Sequence, residues 1–214
     1  MRGLAPQLRW PFAARLVAGC ASCRAPVAPL RAFCAACNST VQRIRRKDPR
    51  RTVACVYGGA VARAIGRLKA ERRAEIARPL GDLLWQALAL GEPEVASVVA
   101  VPVPLHPARL AERGFNQSAL LAGRVARRFG IPLWPSALAR TRDTAPQATL
   151  LREARMANVL DAFVAREPEH VFGRRVLLVD DVWTTGATLE ACENALVAAG
   201  ATHVAWGVVA RAGY

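Results

Sequence analysis

The chain has 214 residues, 53% of them hydrophobic, and a formal net charge of +14. This length suits one good-sized domain with a small appendage, and the hydrophobic fraction excludes an intrinsically disordered chain. The sequence has no uncharged apolar run near the roughly 18 residues that a membrane span requires, so we expect no membrane insertion.

The positive charge lies mainly in the first third of the chain. Residues 1–75 carry 16 lysines and arginines against three acidic residues, whereas residues 76–214 carry 14 against 13. A concentrated basic surface attracts polyanions such as nucleic acids. Because 28 of the 30 basic residues are arginine, a compositional bias of the source explains the excess equally well.

The N-terminal arm, residues 1–15, shows little pattern. The LVAGC that follows, Leu16–Cys20, resembles a lipoprotein cleavage box. However, Arg9 and Arg15 fall where the apolar core of a signal peptide would lie, and Trp10–Pro11 interrupts that core further. We therefore expect a cytoplasmic protein.

Two CxxC pairs follow within residues 16–41, formed by Cys20, Cys23, Cys34 and Cys37. Two such turns can bring four thiolates around one tetrahedral ion. A segment of about 25 residues cannot build its own core, so metal binding would supply its folding energy. We predict a zinc ribbon with structural Zn²⁺. An iron–sulfur cluster uses the same ligands, and disulfides are disfavoured because no secretion signal is present.

The two remaining cysteines, Cys55 and Cys192, lack partners of this kind and are typical of small core residues. Residues 42–51, QRIRRKDPRR, are polar and basic and contain a proline, which predicts an exposed basic linker.

From residue 52 to residue 214, short apolar runs alternate with segments of helical period. Strands are predicted at Thr52–Tyr57, Val95–Pro104, Val176–Val179 and His203–Ala210. Helices are predicted at Ala60–Leu90 with a break near Pro79, at Arg109–Phe129 before Gly130, and at Leu189–Ala199 before Gly200. This alternation predicts a doubly wound parallel α/β domain with helices on both faces of the sheet.

The stretch LLVDDVWTTGATLE, Leu177–Glu190, places Asp180 and Asp181 at the end of an apolar run. Neighbouring side chains of a strand point to opposite faces. We therefore expect the strand to end at the two acids and the chain to turn, so that both can serve one ligand. Open α/β sheets place ligand sites at such carboxyl ends.

The residues after the acids suit an anion. Thr184, Thr185 and Thr188 offer hydroxyl donors, Gly186 allows close backbone approach, and the next helix opens with free N–H groups. The two carboxylates would repel a phosphate, whereas the loop would bind one. A sugar phosphate suits both parts, because its ribose hydroxyls can meet the carboxylates and its phosphate can meet the loop. A plain strand–turn–helix with one capping threonine explains one acid and one threonine, but not the whole set.

The segment VLLVDDVWTTGATLEACENALVAAGA resembles the phosphoribosyl pyrophosphate (PRPP) motif of type I phosphoribosyltransferases. This resemblance implies that Asp180 and Asp181 contact the ribose hydroxyls. It also implies that the Mg²⁺ of the family lies on the pyrophosphate and ribose oxygens of the substrate. The 5′-phosphate would be bound by the loop formed by Thr184, Thr185, Gly186, Ala187 and Thr188.

One residue departs from part of that superfamily. Purine-salvage members carry an aspartate, the base that acts on the purine, at the position that matches Thr184. The threonine disfavours purine salvage.

The segments VPVPLHPARLAERGFNQSALLA and TRDTAPQATLLREARMANVLDAF, together with the four-cysteine head, resemble the ComF family of competence proteins. The resemblance implies a type I phosphoribosyltransferase-like domain behind a zinc ribbon, a role in DNA uptake, and competence proteins as partners. It is compatible with a phosphoribosyltransferase that displaces pyrophosphate from PRPP, although neither turnover nor an acceptor is indicated. The alternative is a single-stranded-DNA-binding factor whose PRPP-like pocket is regulatory.

Several other residues are candidates for the site. Arg113, in RGFNQ, offers a planar guanidinium that matches pyrophosphate or phosphate oxygens, or it forms a helix-surface ion pair with Glu112 or nearby groups. Lys69, one of two lysines, binds pyrophosphate or lies on a solvated helix face. His106 is an acid–base group or a turn residue.

The sequence leaves two further assignments open. Trp183 would be unusually exposed for its size, and would shield the ribose, stack a base or pack on the sheet. A polar series lines the pocket or a nucleic-acid path; it comprises Arg140, Arg142, Gln147, Arg155 and Asn158.

Overall fold

A computed structural model describes residues 19–27, 31–45, 48, 50–90, 98–142 and 162–213. The predicted arm, the first residues of the predicted ribbon and residues 95–97 of a predicted strand lie outside this part. Within the described residues, no helix combines the length and apolar character needed to cross a membrane.

The central sheet has four parallel strands. They are β1 (Arg51–Val56), β2 (Val98–Pro102), β5 (Arg175–Trp183) and β6 (His203–Arg211), and their order across the sheet is β1–β6–β5–β2. A separate antiparallel pair is formed by β3 (Leu138–Arg140) and β4 (Phe163–Ala165), which were not predicted. The central strands are rich in Val, Leu and Ala because both faces of the sheet are buried.

Helices cover both faces of the sheet. The helices of the described residues are α1 (Ala35–Asn38), α2 (Gly59–Ala70), α3 (Ala77–Ala89), α4 (Pro107–Arg113), α5 (Gln117–Phe129) and α6 (Ala187–Ala198). Short 3₁₀ turns lie at Ala74–Ile76 and Pro168–His170. One core joins α2, α3 and α5 to one face, and a second core joins α6 to the other. This arrangement confirms the predicted doubly wound parallel α/β fold.

The break predicted near Pro79 is in the wrong place. The chain leaves the helix after Ala70 and turns at Arg72, whose φ is 53°. Pro79 lies in the first turn of α3, where a missing N–H group costs no intrahelical hydrogen bond.

The helix predicted at Arg109–Phe129 is two helices, α4 and α5. Gly114 separates them in a left-handed conformation with φ 83°. Asn116 then caps α5, because its Oδ1 accepts a hydrogen bond from the backbone N–H of Ser118 at 2.9 Å. The hydrophobic period runs across the break, so the pattern alone hides it.

The strand that carries the acidic pair is longer than predicted. β5 continues to Trp183, and Asp180 and Val182 still pair in register with Val208 and Ala210 of β6. The expectation that the chain turns at the two acids is therefore wrong, and both acids belong to the strand.

Candidate functional site

A cleft of about 470 Å³ opens at the carboxyl ends of the central strands, the edge where open parallel sheets bind ligands. Its walls include the ends of β1, β2 and β5, the start of α5 and the loop before α6. The charged residues in its walls are Lys69, Arg109, Arg113, Arg140, Asp180 and Asp181. Among the described residues, four cations thus face two carboxylates, which gives this part of the cleft wall a formal charge of +2.

The two acids are buried, and α5 reaches both of them. The Asp180 Oδ1 atom accepts hydrogen bonds from the Ser118 hydroxyl at 2.7 Å and from the Asp181 N–H at 2.9 Å. The Asp181 Oδ1 atom accepts one from the Gln117 amide at 3.1 Å, and its Oδ2 pairs with the Lys69 ammonium. The first turn of α5 therefore supports two carboxylates that point to opposite faces of β5.

The charged form of Asp180 is disfavoured by its surroundings. Burial and the neighbouring charge of Asp181 raise the pKa of Asp180 to about 7, although the Ser118 hydrogen bond and the Lys69 charge oppose this shift. Burial and the charge of Asp180 raise the pKa of the Cys192 thiol well above its usual range. Asp180 therefore lies close enough to both Lys69 and the Cys192 thiol of α6 to interact with them electrostatically.

The RGFNQ segment builds the start of α5. The Asn116 side-chain amide donates to the Val103 carbonyl at 3.0 Å, which ties the helix start to the end of β2. The Arg113 guanidinium lies in the cleft and donates to the Gln117 side chain. Glu112 lies 3.9 Å from Arg109, and the two interpretations of Arg113, as a phosphate ligand or as an ion-pair partner of Glu112 or nearby groups, stay predictions.

The threonine–glycine loop forms the part of the cleft wall that follows β5. Thr184, Gly186 and Thr188 line it, whereas Ala187 packs into the core beneath α6. Gly186 has φ 97°, and a Cβ at this position would lie 3.0 Å from the indole nitrogen of Trp183. The Thr185 hydroxyl accepts a hydrogen bond from the Ala187 N–H at 3.4 Å.

Trp183 packs on the sheet and is not exposed as expected. It is 9% exposed, and its ring lies edge-on to Trp206 at a centroid distance of 5.2 Å. The Arg211 guanidinium lies 4.3 Å from the Trp183 ring. The buried indole fixes the base of the threonine–glycine loop.

Lys69 lines the cleft, whereas the sequence favoured a solvated helix face for this residue. Its rarity among 30 basic residues was the available signal. Arg109 and Tyr57 also line the cleft, and no local pattern marks them. His106 is a turn residue, because its Nδ1 accepts from the Ala108 N–H at 3.3 Å and caps α4.

The polar series is only partly described. Arg140 lines the cleft, whereas Gln147, Arg155 and Asn158 lie outside the described residues.

The four cysteines of the CxxC pairs converge in a second candidate site. Their sulfur atoms all lie within 4.8 Å of one another, and those of Cys23 and Cys34 are 3.6 Å apart. A tetrahedral Zn²⁺ with 2.3 Å bonds requires sulfur separations of about 3.8 Å. All four cysteines are free thiols. This donor set fits a metal ion.

The pKa values of Cys20 and Cys23 shift in opposite directions. At Cys23, a backbone hydrogen bond at Ala25 lowers the pKa, but side-chain hydrogen bonds with the other three cysteines outweigh it and raise the pKa to about 11. Cys20 shifts the other way. Burial raises its pKa, but hydrogen bonds with the backbone of Cys23, Cys34 and Ser22 outweigh burial and lower the pKa to about 6. Cys55 and Cys192 are fully buried, as predicted for core residues.

Comparison with known proteins gives a consistent picture. The family "Phosphoribosyl transferase domain" matches residues 116–213. The chain is 36% identical over 151 residues to the DNA utilization protein YhgH of Escherichia coli K12, covering 69% of this chain and 66% of that protein. It is 34% identical over 153 residues to Competence protein F of Haemophilus influenzae, covering 67% and 65%. The matched region thus spans slightly less than two thirds of these relatives.

Solved structures give a weaker likeness. The glutamine PRPP amidotransferase of B. subtilis, complexed with ADP and GMP, matches with a TM-score of 0.40 and 26% identity over 62% of this chain and 25% of that one. A structure described as the allosteric regulatory enzyme of purine biosynthesis matches with a TM-score of 0.41 and 26% identity over the same shares. At these scores, the sheet order and the domain match define the fold.

Proposed function

Because the chain belongs to the ComF family of phosphoribosyltransferase-type proteins, we propose that its cleft binds PRPP or another ribose 5-phosphate group together with Mg²⁺. One observation carries this proposal. Two buried carboxylates and an anion-compatible threonine–glycine loop are walls of the same cleft, and the net charge of that cleft is positive.

The carboxylate end suits the ribose diol. Asp180 and Asp181 are held in place by Ser118, Gln117 and Lys69 before any ligand enters. An ionised carboxylate has about four acceptor sites, so each acid retains capacity for a sugar hydroxyl. We assign Asp180 and Asp181 to the two ribose hydroxyls.

The loop end suits the 5′-phosphate. The backbone N–H groups at the start of α6 and the hydroxyls of Thr184, Thr185 and Thr188 offer donors, and Gly186 and Ala187 present no bulky side chain. Arg113 also lines the cleft, and its planar guanidinium suits the pyrophosphate oxygens.

The hydrogen bonds around Asp180 and Asp181 affect which oxygens can bind Mg²⁺. Both carboxylates already accept hydrogen bonds from protein groups, and Lys69 neutralises Asp181. Mg²⁺ is commonly held by substrate phosphates and retained waters. We therefore propose that the pyrophosphate and ribose oxygens of the ligand hold Mg²⁺, and that the cation reduces the charge of the ligand on entry.

The second metal is structural in this proposal. Zn²⁺ would occupy the four cysteines and stabilise a zinc ribbon over residues 16–41, because all four tetrahedral positions are filled by protein sulfur. No position is then left for water or substrate. Metal analysis of Cys→Ser variants distinguishes zinc from iron.

A calorimetric titration with Mg-PRPP tests the ligand. We expect wild type to bind and the Asp180→Asn/Asp181→Asn double variant to lose at least about tenfold in affinity, equivalent to 1.4 kcal/mol. Glu169→Gln removes an exposed carboxylate elsewhere and serves as the control. Equal affinity in wild type and the double variant would contradict the assigned roles.

Turnover requires an acceptor. Thr184 provides no carboxylate base, which argues against transfer to a purine. A screen for pyrophosphate release from PRPP in the presence of amines, bases and nucleic acids identifies any acceptor.

A role in DNA uptake, alongside competence proteins, is the second part of the proposal. The relatives named above support it, as does a group of exposed arginines at 43, 45, 50 and 51. We expect single-stranded DNA to bind through these arginines, with an affinity that falls as salt rises. Neutralising all four should flatten the salt dependence; an unchanged slope would exclude this surface.

A further inference from the structure

Helix α2 lies between the four-cysteine segment and the cleft. Here "cysteine module" means the described residues from 19 to 41. The Arg67 guanidinium donates to the carbonyls of Cys20 at 3.3 Å and Ala21 at 2.8 Å. Arg67 also pairs with Glu71 at 3.1 Å, and Arg24 of the module pairs with the same carboxylate at 2.9 Å. One arginine thus joins the C-terminal half of α2 to the first CxxC turn.

The N-terminal half of α2 contacts both CxxC turns. The Thr40 hydroxyl donates to the Cys37 carbonyl at 2.8 Å and accepts from the Ala60 N–H at 3.1 Å. The Arg63 guanidinium donates to the Ser22 hydroxyl at 2.9 Å. Polar contacts therefore fix α2 to the module along most of its length.

Apolar packing follows the same surface. The cysteine module contributes Cys20, Ala21, Phe33, Cys37 and Val41 to the same core as the α2 residues Ala60, Val61, Ala64, Ile65 and Leu68. A short metal-bound segment has little apolar interior of its own. The module and α2 therefore stabilise each other.

The last turn of α2 delivers Lys69 to the cleft. Lys69 follows Arg67 by two residues, pairs with the buried Asp181, and keeps 31% of its side chain exposed. An ammonium group has three N–H donors, and a single carboxylate oxygen engages one. Lys69 can therefore hold Asp181 and contact an anionic ligand at the same time.

We propose that Lys69 is a ligand-binding residue for the pyrophosphate end of the ligand, and that the cysteine module positions it through Arg67 and α2. This inference rests on the proposed function for the ligand. Its structural half, the dependence of α2 on the module, is independent of any ligand.

Two variants separate contact from positioning. Lys69→Ala removes the ammonium, whereas Arg67→Ala keeps Lys69 and all four cysteines in the chain and removes the hydrogen bonds from Arg67 to the carbonyls of Cys20 and Ala21. Arg73→Ala is the control, because Arg73 lies just beyond α2, is 48% exposed and pairs with Glu75. All three are purified with metal bound, and the metal content is measured.

The readouts are calorimetry with inorganic pyrophosphate and Mg²⁺, and hydrogen exchange of the α2 amides. We expect pyrophosphate affinity to fall about tenfold in Lys69→Ala and about threefold to tenfold in Arg67→Ala, and to stay unchanged in Arg73→Ala. The α2 amides should exchange faster in Arg67→Ala and in metal-depleted wild type, and as slowly as wild type in Lys69→Ala.

Each half can fail separately. Unchanged pyrophosphate affinity in Lys69→Ala overturns its ligand role. Unchanged affinity and α2 exchange in Arg67→Ala overturn positioning by the module. If wild type binds neither pyrophosphate nor PRPP, the proposed function and the ligand role of Lys69 both fail. In that case, α2 exchange after metal removal still decides whether the module holds the helix.

Discussion

The two ends of the cleft differ in how much of the site exists before a ligand binds. At the acidic end, Asp180 and Asp181 are buried and held by Ser118, Gln117 and Lys69. At the loop end, Thr184 is exposed and Gly186 shapes the backbone. Substitutions at the acidic end should therefore change folding as well as binding, whereas side-chain substitutions in the loop should change binding alone.

The largest effect is expected for Asp181→Ala. Removing this carboxylate leaves the Lys69 ammonium and the Gln117 amide without their buried partner. We expect the free energy of unfolding to fall by about 3 kcal/mol. The shift of the urea midpoint measures this loss, provided that the dependence of the unfolding free energy on urea concentration is unchanged. A loss of ligand affinity without any loss of stability would remove the proposed difference between the two ends.

Asp180→Asn should shift stability in the opposite direction. Because the folded-state pKa of Asp180 is raised from 3.8 to about 7, the native state binds its proton more tightly than the unfolded chain. Wild-type stability therefore falls as pH rises from about 4 to about 7. Asparagine has no such charge and can still accept the Ser118 hydrogen bond.

We expect Asp180→Asn to be more stable than wild type at pH 8, by up to about 4 kcal/mol, with the gain vanishing near pH 4. Thermal unfolding at both pH values measures this difference. A variant that is less stable than wild type at pH 8 would show that the charged carboxylate is favourable in the native state.

Gly186→Ala tests whether the backbone, not the side chains, carries the structure of the loop. Alanine is opposed by the φ of 97° and by the Trp183 indole nitrogen, which would lie 3.0 Å from the added methyl group. We expect about 1.5 kcal/mol of destabilisation together with weaker binding of ribose 5-phosphate. If Gly186→Ala is as stable as wild type, the loop backbone accommodates the added methyl group without strain.

The smallest stability effect is expected for Thr184→Ala. The side chain is exposed, so stability should change by no more than about 0.5 kcal/mol. Affinity for ribose 5-phosphate should fall by about tenfold if the hydroxyl contacts the phosphate. Thr202→Ala, an exposed threonine outside the cleft, should leave both quantities unchanged.

Local patterns in the sequence predict much of this molecule. The CxxC spacing indicates the cysteine cluster, and the apolar runs indicate the four central strands, since fully buried parallel strands are apolar throughout. Asp180 and Asp181 could be assigned to a site because paired carboxylates beside a threonine–glycine loop are unusual in a plain turn.

The errors arise where distant residues determine local structure. The register with β6 extends β5 through the acids, and Trp206 buries Trp183. Lys69 reaches the cleft only because α2 is held between the cysteine module and the sheet. No periodic pattern in the sequence reports these contacts.

The central claim is that the acidic end recognises the ribose diol while the loop holds the phosphate. Calorimetry with ribose 5-phosphate and 2-deoxyribose 5-phosphate tests it most directly, on wild type and on Asp180→Asn/Asp181→Asn. We predict that wild type prefers the ribose compound by about tenfold and that the variant binds both equally. The claim would be contradicted if the variant prefers ribose 5-phosphate as strongly as wild type does, or if wild type shows no preference.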